Sequence, residues 1–101
     1  MAEMPSGTPE SFLNLSGVVQ RTVIAGELPA LVVVHDDEGD WLIGDGVNDP
    51  NEEGACGLFH FAHIIRADPS LAEALNLQLG YAAYRETGGS SWEISRWEYE
   101  D

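Results

Sequence analysis

The chain has no lysine, one cysteine and no long apolar run, and each absence removes a class of function. Four arginines are its only permanently basic side chains, against 18 aspartates and glutamates, for a formal charge of −14. Binding to nucleic acid or to an anionic membrane requires lysines and arginines that displace counterions from phosphates, so neither is expected as a direct partner. The lone Cys56 excludes an internal disulfide and fits a reducing compartment. The first residues, MAEMPSGTPESF, have neither a basic leader region nor an apolar one, and no stretch reaches the roughly 18 apolar residues of a membrane span. A soluble, cytoplasmic, unexported protein is therefore expected.

Catalytic signatures are missing too. There is no G-x-S-x-G elbow, no G-x-G-x-x-G fingerprint and no P-loop, and GDG at 44–46 reads only as a turn. The many carboxylates offer no pair set apart from its neighbours as acid and base. The expectation is a non-enzyme with no cofactor.

What is present is enough apolar residue, 44%, for one core, concentrated in GVVQRTVI, LPALVVV and GLFHFAHII. Residues 1–11 lack periodicity and read as a mobile tail, leaving a single domain over 12–101. The β-branched stretch 17–26, bounded by glycines, reads as a strand. ALVVVH at 30–35 reads as a central strand, DDEG at 36–39 as a hairpin turn, and residues 41–43 as the returning strand. Residues 57–67 are ambiguous between strand passing into helix and helix throughout; the preferred reading is a short extended entry, then helix from about His60 to Ala67. A second helix follows, started by Asp68 as N-cap with Pro69 in its first turn, or by a Ser70 and Glu73 capping box. YAAYRE and WEISRWEY read as a final hairpin joined by TGGSS. These elements add up to an α+β domain, a mainly antiparallel sheet with one or two short helices.

The acidic charge is unevenly placed. No basic residue occurs between Arg21 and Arg66, whereas Asp36, Asp37, Glu38, Asp40, Asp45, Asp49, Glu52 and Glu53 all fall there. Such loops ordinarily serve solubility, but loop 44–54 is long for a compact domain, which favours binding. The expected partner is neutral or cationic. Calcium loops framed on Asp36, Asp40 or Asp45 fail, with Trp41 at the glycine position of the first, Leu42 at the second ligand position of the second and Cys56 at the closing glutamate position of the third.

Cys56, His60 and His63 form the alternative, since one continuous helix would place all three on one face as zinc ligands. Gly57 argues against a helix that early, and the ordinary reading is a small buried thiol with two histidines near a helix start. Trp41 and Trp92 read as core. Trp97, in the acidic WEYED, is core or edge cover by default and otherwise an aromatic anchor for a cationic partner.

One pattern spans residues 18–86: LPALVVVHDDEGDWLIGDG, then NDPN, then DPSLAEAL, then LGYAAYRE. It resembles a bacterial family of unknown function grouped with the immunity proteins of polymorphic toxin systems. Trp41, Gly44, Asp45, Asp49, Pro50, Asn51, Asp68, Pro69, Gly80 and Arg85 occupy the matching places, and Gly46 stands where that family more often has an acid. The resemblance implies an inhibitor that occludes a cationic toxin or effector. On that reading Asp36, Asp37, Glu38, Asp40, Asp45, Asp49, Glu52 and Glu53 steer the partner, and Trp41 or Trp97 anchors it if exposed. A second possibility is mimicry of nucleic acid toward DNA- or RNA-binding proteins. The oligomeric state is open.

Overall fold

The structure is a computed structural model that describes residues 16–49 and 51–97. The tail expected over 1–11, the start of folded chain near Phe12, Pro50 and the acids after Trp97 lie outside the described residues. Six strands form one mixed, mostly antiparallel sheet: β1 (Ser16–Gln20), β2 (Val32–His35), β3 (Trp41–Gly44), β4 (Cys56–His60), β5 (Tyr81–Tyr84) and β6 (Glu93–Arg96). Their spatial order is β4-β1-β3-β2-β5-β6. Among the described residues only β1 and β3 run parallel; every other pair is antiparallel. Three short helices among the described residues accompany the sheet in this α+β fold: α1 (Arg21–Ile24), α2 (Phe61–Ala67) and α3 (Leu71–Ala74).

Register decides which side chains share a face. Val19, Ile43, Val33 and Ala83 are successive cross-strand partners, and all are buried against Phe61, Ile64 and Ile65 of α2 and Leu71 and Leu75 of the α3 region. Burial of these aliphatic and aromatic side chains is the main force holding helices to sheet. Close approach has a sequence cause: a Cβ on Gly17 would sit 2.6 Å from the Phe61 ring and 2.9 Å from the Trp41 Cβ. Only glycine lets α2 seat there.

The hairpin turn is built as expected. Asp36 Oδ1 accepts the N–H groups of Glu38 and Asp40, each at 2.9 Å, and Gly39 takes φ +90°. The strand expected over 17–26 instead ends at Gln20 and winds into α1. Arg21 N–H donates to Ala55 O at 2.9 Å and its Nε–H to Gly54 O at 3.0 Å, while the Thr22 hydroxyl turns inward to Asp45. These long-range bonds outweigh the β preference of Thr22, Val23 and Ile24. Between 56 and 67, strand gives way to helix at Phe61, close to the preferred reading. The Ser70 and Glu73 box does not form. Ser70 makes no side-chain cap; its hydroxyl is spent on Asp68 and Arg85, and Asp68 Oδ1 accepts Ser70 N–H at 3.2 Å.

Candidate partner-binding face

The opposite face of the sheet carries a second apolar row. Leu58, Val18, Leu42, Val34 and Ala82 are partners across five consecutive strands, so they line up on one side. None of them belongs to the main core cluster, and no described helix packs its buried residues there. Leu58 is 73% exposed and Val18 40%, whereas Val34 and Ala82 are buried. A trough of about 460 Å³ runs over Leu58, Val18, Leu42 and Val34, with Asp36, Asp40 and Asn51 at its rim. Turn 36–40 and loop 45–55 leave from opposite ends of β3, yet Asn51 of the second lines the same trough as Asp36 and Asp40 of the first. The two acidic segments therefore meet at one apolar trough.

Within those segments the acids have different duties. Asp37, Glu38, Asp40, Asp49, Glu52 and Glu53 are exposed, and Asp36 is half-buried with one carboxylate oxygen used in its own turn. Asp49 Oδ1 likewise accepts Asn51 N–H at 2.9 Å. Asp45 departs from the expectation that it joins the steering surface, because it is fully buried. Its carboxylate accepts four hydrogen bonds: the Thr22 hydroxyl at 2.6 Å, and Val47 N–H, Asn48 N–H and Asn48 Nδ2–H each at 2.8 Å. Its own N–H donates to Gln20 Oε1 at 2.6 Å, and Gln20 Nε2–H donates to Asn48 O at 3.2 Å. Burial alone pushes the Asp45 carboxyl up, but the donors from Asn48, Thr22 and Val47 outweigh it and hold it well below the usual range. Asp45 is the knot that shapes the loop, not a contact residue.

The aromatic candidates also separate. Trp41 is buried, stacked on the His35 ring at 3.9 Å between centroids and edge-on to Phe61 at 5.8 Å, so it is core and not an exposed anchor. His35 Nδ1–H donates to Leu77 O at 2.9 Å, which fixes the ring it offers to Trp41. Trp97 is half-buried, and its backbone N–H donates to Gly80 O at 2.8 Å, beside the Asp37 carboxylate that approaches Gly80. Trp92 packs on the core and donates its Nε1–H to Ser70 O at 3.1 Å.

Asp68 and Arg85 are joined by an ion pair of 2.8 Å. The buried Arg85 also donates Nε–H to Ala30 O at 2.9 Å and Nη1–H to Ser70 Oγ at 2.7 Å, and its guanidinium lies 4.1 Å from the Trp92 ring centroid. This cluster ties α3 to β5 and is architectural.

The zinc reading needed a helix through Cys56, His60 and His63. Cys56 and His60 instead sit at the two ends of β4, roughly 13 Å apart at about 3.3 Å per residue. His60 and His63 have ring centroids 6.4 Å apart, and His60 Nδ1 lies 3.0 Å from the Ser16 hydroxyl. No cluster of three or more histidine, cysteine or carboxylate ligands occurs among the described residues. Burial pushes the Cys56 thiol up, with Asp45 adding to the shift and Arg21 opposing it.

Val18, Leu42 and Leu58 were missed as candidates. The signal was present in VV and LFHF: adjacent large apolar residues in one strand must point to opposite faces, so one of each pair needs a second cover. Among the described residues no helix is long and apolar enough to cross a membrane. Comparisons with protein-family models, with curated proteins and with solved structures return no match.

Proposed function

We propose that the protein is a non-enzymatic, cytoplasmic binding module of the immunity type, which captures a cationic protein on the sheet face opposite its helices and occludes that partner's working surface. The observation that carries this reading is the meeting of an apolar trough with an acidic rim. Leu58, Val18 and Leu42 give a floor that can be desolvated, Asp36 and Asp40 stand at its edge, and the exposed acids 37, 38, 49, 52 and 53 belong to the two segments that supply Asp36, Asp40 and Asn51. Apolar floor supplies residence time and charge supplies encounter rate, the usual division of labour at an electrostatically steered interface. Trp97 stands at the same end of the sheet as turn 36–40, beyond β5 from the trough, and is not part of its lining.

The test is affinity capture from bacterial lysates by the full chain, across a salt series, in parallel with a Val18→Ser, Leu58→Ser double variant. One basic protein held stoichiometrically by the parent and lost by the variant supports the reading. Retention of many nucleic-acid-binding proteins by both forms would favour mimicry through charge alone, and the absence of any retained protein would overturn the assignment.

A further inference from the structure

A different recess opens on the helix-covered side, at the corner where the edge strand β4 meets α1 and α2. It encloses about 670 Å³. Its apolar lining comes from Val23 and Ile24 of α1, Leu28 of the connection to β2, Phe59 of β4, Ile64 of α2 and Leu71 of α3. The outer wall is preformed: Gly26 N–H donates to Val23 O at 3.1 Å, and the N–H groups of Glu27 and Leu28 donate to Thr22 O at 2.9 and 3.3 Å. Interiors of small domains close-pack, so an opening this large beside a packed core leaves apolar surface in water; Ile24 is 38% exposed at the mouth while Ile64 and Leu71 are buried at the back. Size and lining fall within the usual range for small-molecule sites, roughly 300–1,000 Å³ with few polar groups.

Three ionisable side chains border the recess, Glu27, His63 and Asp68. Asp68 is already committed to Arg85 and Ser70, which leaves the exposed Glu27 as the carboxylate available to a guest. No arginine lines the recess, and the chain has no lysine. A carboxylate guest would meet Glu27 and the net negative field with only the exposed His63 imidazole as a donor, and a neutral guest would gain nothing from Glu27, which stays hydrated. An apolar body bearing one ammonium group matches both the floor and the mouth. The geometry points to a binding site for a small amphipathic amine, with the hydrocarbon on Val23, Leu28, Phe59 and Ile64 and the ammonium at Glu27. This site is separate from the sheet face and does not depend on the function assigned there.

The experiment is a methyl-resolved NMR titration of the full chain with three probes on one phenylpropyl skeleton: 3-phenylpropylammonium, 3-phenylpropanol and 3-phenylpropanoate. The expected result is saturable shifts at Val23, Ile24, Leu28, Ile64 and Leu71, with the amine about threefold tighter than the alcohol and about tenfold tighter than the acid at low salt. Glu27→Gln should erase the preference for the amine over the alcohol while leaving the alcohol's affinity unchanged. Ala67→Trp, placed at the exposed edge of the recess, should abolish binding while the Val33 and Ile43 methyl signals of the core stay in place. Shifts confined to other surfaces, equal affinity for amine and acid, or no shifts with any probe would overturn the proposal. Should Ala67→Trp disturb the core signals, the surface change Glu27→Gln decides the matter alone.

Discussion

The Thr22 hydroxyl donates to the Asp45 carboxylate at 2.6 Å, joining α1, which follows β1, to the loop that follows β3. Since β1 and β3 are the parallel pair of the sheet, this bond closes their common end. It also accounts for α1, because the chain must coil after Gln20 to bring Thr22 inward.

Asp45→Asn should therefore be costly despite its small change in shape. An amide NH2 would face a hydroxyl or N–H donor, leaving buried donors without an acceptor, a loss of about 2–4 kcal/mol. Urea denaturation should show a lower midpoint with an unchanged slope. A variant as stable as the parent would show that the knot is dispensable.

The same carboxylate has a signature in acid. Its folded pKa is depressed, so the unfolded chain takes up the proton first as pH falls. The stabilisation it gives is complete above the ordinary aspartate value of about 4 and is lost progressively below it. Unfolding free energy measured from pH 5 down to pH 2 should fall more steeply for the parent than for Asp45→Asn. Parallel profiles would exclude Asp45 as the source of the slope.

Arg85→Lys should destabilise. A lysine ammonium keeps a charge beside the part-exposed Asp68 but cannot also serve the Ala30 carbonyl and Ser70 or lie over the Trp92 ring as the guanidinium does, and a buried acceptor left without its donor costs about 1–3 kcal/mol. Thermal unfolding followed by tryptophan fluorescence reads the loss directly. Retention of the parent melting temperature would contradict the architectural role.

Gly17→Ala tests the seat of α2. The added methyl meets Phe61 and Trp41 at under 3 Å, so ring or helix must shift, at about 1–3 kcal/mol. Near-ultraviolet circular dichroism should report the displaced aromatic packing along with a lower denaturation midpoint. An unchanged spectrum and midpoint would show that the helix absorbs the methyl freely.

The exposed acids should behave in the reverse way. Glu38→Gln, Asp40→Asn, Glu52→Gln and Glu53→Gln together should leave stability within about 0.5 kcal/mol, because all four side chains are exposed. Association with a captured basic partner should slow markedly at low salt while dissociation changes little. Equal association rates would assign the acids to solubility alone. Asp45 is left out of this set, since its replacement would alter the loop itself.

Strands β2 and β3, their turn and the β5–β6 hairpin were legible because local chemistry determines them: Val-rich runs, an Asp that folds back on its own amides, and a glycine at positive φ. The helix α1 was not, because its cause lies in Asp45, Gly54 and Ala55, more than twenty residues away. Asp45 itself reads in sequence as one acid among many; only the convergence of Gln20, Thr22 and Asn48 distinguishes it from Asp49, which stays on the surface. The zinc reading failed for a matching reason. The i, i+4 spacing of Cys56 and His60 brings ligands together on a helix and holds them apart on a strand.

The insertion of β3 between β1 and β2 imposes an order of assembly. The β2–β3 hairpin closes within residues 32–44, but β1 finds its parallel neighbour only once β3 is in place, and β5 must reach back to join Val32 to Tyr84. Loop closure makes the near pairing fast and the distant ones slow. The trough over Leu58, Val18, Leu42 and Val34 is built wholly from segments ending at His60, so during synthesis its four strands leave the ribosome before the chain that completes the far edge of the sheet.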